Sequence, residues 1–559
     1  MMIYLVVVIA SIVVYVIVGL VVGRKVGDTA DYYVSGRQAP TILIAGTLFA
    51  SMLSTNGFMG DTNWTYGGAI VNAVTLNALC GAGYVIGVIF FGRYLRRSEN
   101  LTMPEYFGNR FNSRGIQRMA GVIVVVSITC YLLAVTVGVG KLIHTLTGLD
   151  QIPAYIIAWA CFTSFTFYSG SRGVIITDTM MFLLFLGATV IAAPYFFNAA
   201  NGGLGGLLEG VWNGHGVEGY LSWHGTTYNY DVAEAATTGI NSPMDVKRDA
   251  FLYGIIYGVI WLIVVGISPW QAGRNLMAKS EHVAMRSSTI ACICTTVFLT
   301  FLYMMSIALL NTPGAAEGIE AAGGAEYEMI WGFSNLVPAG LGALALAGIM
   351  AAGLSSASTF LSVVGFSVAN DVFNIKFKDD KDQLRKTRII MLVISIIALI
   401  IAFSFTEGIR NLSWLASTLI ASSWCVIAFA SVWSKKLNAK GALWSMVAGF
   451  VGYVVTKAMS KFAIAPDISG KFYNMLDPFL IGIYLSIIFA IVGTVLGKKT
   501  AEEAAVQDKM LVTPKSILSR KEYKRTLLYA NLLIVIGVLV TVGLIAGWAV
   551  PVMGWQAAM

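Results

Sequence analysis

Apolar runs long enough to cross a bilayer recur along the whole chain, separated by short polar, basic or Gly-containing stretches. A crossing helix needs about 20 largely apolar residues, and about fourteen stretches meet that requirement. They are predicted at 3–23, 41–58, 67–95, 118–145, 152–169, 174–196, 251–270, 285–310, 338–371, 386–405, 408–433, 439–460, 474–497 and 525–549, and are called spans 1 to 14 in that order. Span 1, IYLVVVIASIVVYVIVGLVV, is longer than a signal-peptide core and has no basic stretch before it, so it is read as a retained transmembrane helix. The pattern predicts an all-α polytopic membrane protein, a single integral membrane domain over residues 1–559.

Two spans depart from a plain apolar helix. Span 2 reads TILIAGTLFASMLSTNGFMGDTNWTYGGA, and its centre from Ser51 to Gly57 is polar and contains glycine. Broken backbone at membrane depth is tolerated where it lines a cavity. Span 7, FLYGIIYGVIWLIVVGISPW, carries Gly254, Gly258, Gly266 and Pro269, which weaken a helix. These spans stand at matching positions of two five-helix groups, 41–196 and 251–433. Interrupted helices at equivalent positions point to a transporter built from inverted repeats, with its binding site near the midplane. Span 1 is then an extra N-terminal helix, and 439–549 holds additional C-terminal helices.

Span 9 carries four hydroxyls in an apolar, small-residue run: Ser355, Ser356, Ser358 and Thr359. Helix positions i, i+3 and i+4 share a face. Ala352, Ser355 and Ser356 have that spacing, as do Ser355, Ser358 and Thr359, so one helix offers two adjoining oxygen-lined patches. Such patches serve helix–helix packing or bind a hard cation. Asp178, in VIITDTMMFLLFLG of span 6, is the only clear intramembrane carboxylate placed to act. Buried carboxylates of this kind mark ion pathways, although an Asp near a helix start also caps it.

Composition agrees with the membrane assignment: 57% of residues are hydrophobic, 12% are charged, and mean hydropathy is +0.75. With the N-terminus outside, every Lys and Arg lies in or beside a cytoplasmic loop except Lys141, Lys247, Arg248, Arg410, Lys457, Lys461 and Lys471. The positive-inside rule therefore places both termini outside. The net charge of +8 requires no nucleic-acid partner, since basic loops face the anionic cytoplasmic leaflet. The cysteines, Cys80, Cys130, Cys161, Cys292, Cys294 and Cys425, fall in apolar spans without disulfide or zinc spacing. The long 197–250 loop contains Trp212, His215, Trp223 and His224, of which the two His are read as surface loop residues rather than metal ligands, and DDKD (379–382) with the basic 376–388 region reads as a solvated cytoplasmic loop.

Six stretches together resemble the sodium:solute symporter family: DYYVSGRQ (31–38), FASMLSTNGF (49–58), LTMPEYFGNRF (101–111), YSGSRGVIITD (168–178), GRNLMAKS (273–280) and AAGLSSASTF (351–360). The likeness runs from about residue 1 to 435 in order and spacing, while spans 12 to 14 match in number and position only. It implies a LeuT-like fold with a 5+5 inverted repeat, and Na+ as the coupling ion. It also implies a first sodium site made of the carbonyls of Ala50, Leu53 and Ala352 with the hydroxyls of Ser355 and Ser356. Some members have a second site, which here would use Asp178, Ser355, Ser358 and Thr359. Arg172, between spans 5 and 6, reads as a positive-inside anchor.

Substrate contacts are expected from Met52, Ser54, Asn56 and Gly57 in span 2, Asn77 in span 3, Tyr131 in span 4 and Trp261 in span 7. The exposed N–H groups of a broken helix suit an anionic group. Sugar-transporting members have adjacent aromatic residues about ten positions before the basic residue that here is Arg274, where this chain has IVVG (263–266). The resemblance therefore implies import of a small organic acid or amino acid by alternating access, not of a sugar. A channel would need a filter repeat, a transporter-like sensor an attached signalling domain, and a membrane enzyme a catalytic cluster. None of these is read in the chain, and only VPVMGWQAAM follows span 14.

Overall fold

The computed structural model describes residues 2–557 apart from 25–27, 216–219, 222–242, 374, 376–377, 405–407, 463 and 465–474. Trp223, His224 and Lys471 lie outside the described residues. The described chain is helical apart from turns and one isolated bridge between Ala39 and Ala278. Among the described residues, twelve helices are long and apolar enough to cross a membrane, or 13 when a bent pair is counted as one span. The remaining expected span, 152–169, is the first arm of the helix Gln151–Ala199, which bends at Gly170 (φ 54°, ψ −161°). A Cβ there would stand 2.4 Å from the Tyr32 ring, so both the positive φ and the contact require glycine.

The bent pair is span 2: Thr41–Met52 and Asn56–Tyr66 meet at 47°. Leu53 leaves helical geometry (φ −90°, ψ 81°), and its N–H makes the last bond of the first arm to the Phe49 carbonyl. The Gly57 N–H turns to the Ser54 carbonyl at 3.1 Å, which takes the Leu53 carbonyl out of the helical ladder. The expected break is therefore present.

Span 7 differs from expectation. Its helix, Pro243–Ile267, runs unbroken through Gly254, Gly258 and Gly266, and the interruption comes afterwards, at 268–271, before a short 3-10 segment Ala272–Met277. The glycines serve close packing on span 3. A Cβ on Gly87 would lie 2.3 Å from the Gly266 Cα, and one on Gly258 2.5 Å from the Leu79 side chain. Small residues let membrane helices approach backbone to backbone.

Span 9, Ala339–Phe366 with a continuation to Val372, is the central helix and is buried along almost its whole length. It packs on spans 4 and 6 and on the first arm of span 2, and span 1 packs on span 9 and on the helix Gln151–Ala199. Spans 12 and 13 pack on each other and on span 11, and span 14 is peripheral. DDKD is not a loop: Asp379 caps the helix Asp380–Phe403 by accepting from the Asp382 N–H. Arg172 is more than an anchor, since it pairs with Asp31 of the segment after span 1 at 3.2 Å.

The connection between spans 8 and 9 contains a buried carboxylate, Glu328, in the helix Glu328–Asn335. The Ser306 Oγ lies 3.2 and 3.1 Å from its two oxygens. Burial pushes its carboxyl from 4.5 up to about 8, against the opposing hydrogen bonds of Thr62 and Ser306. Between those values the folded chain holds a proton that the unfolded chain has released. Stability from this group is thus lost as pH rises from about 4.5 to about 8. Glu328→Gln is expected to remove that slope, so the variant's Tm exceeds that of the parent at pH 9 but not at pH 5. Parallel Tm curves for the two proteins across this range would refute the assignment.

Candidate functional site

The broken centre of span 2 lies directly against span 9. A Cβ on Gly353 would stand 3.0 Å from the Thr55 Cγ2 and 2.3 Å from Val139 of span 4. Glycine at 353 therefore brings the break within contact of the helix that carries the hydroxyls. Ala50, Ser51, Leu53, Ala352, Ser355 and Ser356 are all buried here. The hydroxyls of Ser356 and Thr55 are buried without a hydrogen-bond partner. A buried hydroxyl left unpaired is costly, and unspent oxygens on the two helices that meet at the break fit a dehydrated hard cation.

The second patch is tied together by Asp178, which is fully buried. Its Oδ1 accepts from the Ser355 Oγ at 2.7 Å, and its Oδ2 accepts from the Thr47 Oγ1 at 2.5 Å. The Arg274 guanidinium lies 3.7 Å from Oδ2 and also donates to the Thr359 hydroxyl. Asp178, Ser355 and Thr359 are thus linked through direct bonds and Arg274, whereas the Ser358 hydroxyl is spent on the Ser355 carbonyl at 2.8 Å. Gly46 makes this approach feasible: a Cβ there would lie 3.0 Å from the Thr179 backbone.

Three residues of this site were not singled out as ligands from the sequence. Thr47 sits one turn before the break and reads as an ordinary apolar-helix threonine. Arg274 belongs to GRNLMAKS, a stretch that carried the family likeness but no role. Gln271 is buried in the turn after span 7, and its side-chain amide reaches span 2. In the orientation that satisfies both its ends, it donates to the Leu48 carbonyl and accepts from the Met52 N–H, each at 3.2 Å. A lone polar residue in a turn gives no such signal in sequence.

The expected substrate contacts are only partly gathered. Tyr131 packs among Phe360, Trp270 and Trp261, at ring distances of 4.5, 5.6 and 6.5 Å. Asn56 lies on the other side of the break, where its amide donates to Asp61 at 3.2 Å and its oxygen accepts from Ser413 at 2.9 Å. Gly57 and Ser54 are buried in the break, and Met52 is half-buried. Asn77 is committed elsewhere: its amide donates to the Thr296 carbonyl and the Thr300 hydroxyl of span 8, at 3.0 and 3.1 Å. Beyond Asn56, Arg410 lies over Trp64 at 4.2 Å and over Tyr257 at 5.0 Å, and Tyr257 stacks on Trp414 at 4.5 Å. On the opposite side, a cavity of about 50 Å³ adjoins Arg274 and Thr359 and reaches the 101–104 segment.

Asp178 is not the sole buried carboxylate of the membrane region. Asp371, at the end of span 9, accepts from Thr102, Gln117 and Ser367 at 2.9, 2.8 and 3.0 Å. Asp61 is buried beside Asn56. Asp371 is the last residue of span 9 as expected from hydropathy, and Asp61 lies just past the end of span 2, where burial is not legible from hydropathy.

The pattern of the Sodium:solute symporter family matches residues 32–449. A monocarboxylic acid transporter of Corynebacterium glutamicum is 23% identical, over 87% of this chain and 90% of its own. A sodium/proline symporter of Staphylococcus aureus is 24% identical, over 91% and 96% of the two chains. Among solved structures, a Na+-coupled sialic acid symporter superposes with a TM-score of 0.71 at 16% identity, covering 89% of this chain and 99% of that one. The fold is all-α and LeuT-like, the coupling ion is Na+, and the chain belongs to the sodium:solute symporter family.

Proposed function

We propose that this symporter imports a small solute bearing a carboxylate, an organic acid or an amino acid, together with Na+. The relatives named for monocarboxylic acids and for proline support that substrate class, because both kinds of molecule carry a carboxylate. The absence of paired aromatics at 263–266 argues against a sugar. The proposed contacts are the break of span 2 (Met52, Ser54, Asn56, Gly57) with Tyr131 and Trp261, while Asn77 serves span 3–span 8 packing. The basic loops support a cytoplasmic face at the ends of odd-numbered spans, so both termini are extracytoplasmic. The two repeats are 41–196 and 251–433.

The observation that carries the mechanism is the Asp178 cluster: a buried carboxylate shared by span 2 (Thr47), span 9 (Ser355) and the segment after span 7 (Arg274). In the proposed cycle one Na+ binds the Ala50, Leu53 and Ala352 carbonyls with Ser355 and Ser356. A second binds Asp178, Ser355 and Thr359, with Ser358 adding its hydroxyl if it turns from the Ser355 carbonyl. Arg274 balances Asp178 when sodium is gone. Ions at these sites tie the break to span 9 and favour the substrate-ready state. Each Na+ moving down about 100 mV contributes about 2.3 kcal/mol to accumulation.

A thermal-shift screen of the purified protein tests the substrate class, using monocarboxylates, amino acids, sugars and vitamins with and without sodium. A carboxylate that raises Tm only when Na+ is present is the expected result. A sugar that does so, with no carboxylate active, would overturn the reading. Ser356→Ala tests the first ion site. Its hydroxyl has no protein partner, so its loss is expected to leave sodium-free stability unchanged or higher. Losing one oxygen on a charged ligand, about 1.5–3 kcal/mol, weakens the Na+ response about tenfold or more. An unaltered Na+ titration would remove Ser356 from the site.

A further inference from the structure

Away from the transport core, a cavity of about 580 Å³ opens between the ends of spans 3 and 8, the 101–111 loop helix and the helix Ala501–Leu511 that joins spans 13 and 14. Small-molecule sites have volumes of about 300–1,000 Å³. Five basic side chains line it, Arg96, Arg97, Arg110, Lys279 and Lys509, against two carboxylates, Glu99 and Glu281. Glu281 is spent on Arg97 through a two-pronged pair at 2.5 and 3.0 Å. Glu99 is 70% exposed at the rim, 3.7 Å from Arg96, where solvent screens it. Glu503 and Asp508 of the joining helix lie near Arg110. Glu503 is turned away to accept from the N–H groups of Ala439 and Thr500.

The deepest cation is the informative one. Arg110 is 1% exposed, and two of its nitrogens donate to the Ser431 and Glu503 carbonyls at 2.7 and 3.1 Å. Its third, Nη2, is buried without a hydrogen-bond partner, and Arg110 is among the residues lining the cavity. Lys279 and Lys509 make no side-chain ion pair among the described residues. A guanidinium with an unspent donor, flanked by two free ammonium groups, matches the several oxygens of a phosphate.

We propose that this cavity is a binding site for a phosphate-bearing anion, either a soluble phosphorylated compound or the headgroup of an anionic lipid. Arg110 supplies the buried charge and its one unpartnered nitrogen, and Lys279 and Lys509 the outer charges. Because the walls come from spans 3 and 8, the second members of the two proposed repeats, and from the C-terminal joining helix, occupancy fastens that helix to the transport core.

The full-length protein in phosphatidylcholine nanodiscs tests this, with inorganic pyrophosphate titrated at constant ionic strength and Tm as the readout. A saturable rise in Tm of several degrees is expected. Lys279→Gln combined with Lys509→Gln, which removes no ion pair, is expected to weaken the response at least tenfold. Arg110→Lys, which keeps the charge and loses the unpartnered Nη2, should weaken it as well. A second arm replaces part of the lipid with cardiolipin. A Tm rise with cardiolipin that the double variant loses assigns the site to a lipid headgroup, and a rise with pyrophosphate alone assigns it to a soluble anion. No saturable response to either probe, or an equal response in the double variant, would overturn the proposal.

Discussion

Asp178→Asn is expected to abolish sodium-driven uptake in proteoliposomes while the protein still inserts and folds. Asparagine keeps the shape of the side chain and can still accept from Ser355 or Thr47. It loses the charge that would hold an ion and that now faces Arg274. Removing the ion's counter-charge together with charge-assisted bonds, each about 1.5–3 kcal/mol, corresponds to a loss of about a hundredfold or more in sodium affinity. The measurement is initial uptake against external Na+. A variant with the parent's sodium dependence would exclude Asp178 from ion coupling and leave it as a packing residue.

Arg274→Gln carries the second large effect, and its sign differs. Breaking a buried ion pair by removing one partner costs about 3–5 kcal/mol, because the other charge is left uncompensated. Arg274 and Asp178 are both buried, so the variant should be markedly less stable without sodium. If Na+ and the guanidinium compensate the same carboxylate, sodium restores much of that loss. The Na+-dependent rise in Tm is then larger in the variant than in the parent. Adding Asp178→Asn should cancel both the instability and the added sodium response. Equal sodium dependence of parent and Arg274→Gln would show that the ion and the guanidinium do not share a carboxylate.

Much of this arrangement was legible before any coordinates. The break of span 2 could be read because uncharged polar residues and glycine cluster at one depth, and lipid tolerates that only beside a cavity. The hydroxyls of span 9 could be read because a helix maps sequence spacing onto faces. The partners of Asp178 could not, since Thr47 and Arg274 are distant in sequence and no local period links them to it. Span 7 misled for a related reason. Glycine weakens an isolated helix, but against span 3 its missing side chain is what the packing needs. Asp371 and Asp61 lie where hydropathy marks a span edge, and only the neighbouring loops and helices show that they are enclosed. Ser358 has the spacing of a ligand, yet a serine can satisfy itself on its own helix.

The backbone contact between Gly87 and Gly266 has a mechanical consequence. A side chain added at Gly87 would strike the backbone of the facing helix and wedge the two spans apart. Spans 3 and 7 thus meet at a separation that leaves no room for a side chain between them. The helices are interrupted elsewhere, at Leu53 and in the 268–271 turn. Gln271 stands in the second interruption, and its amide bonds to the span 2 backbone at Leu48 and Met52, beside the first. One amide side chain thus ties the two interruptions to each other.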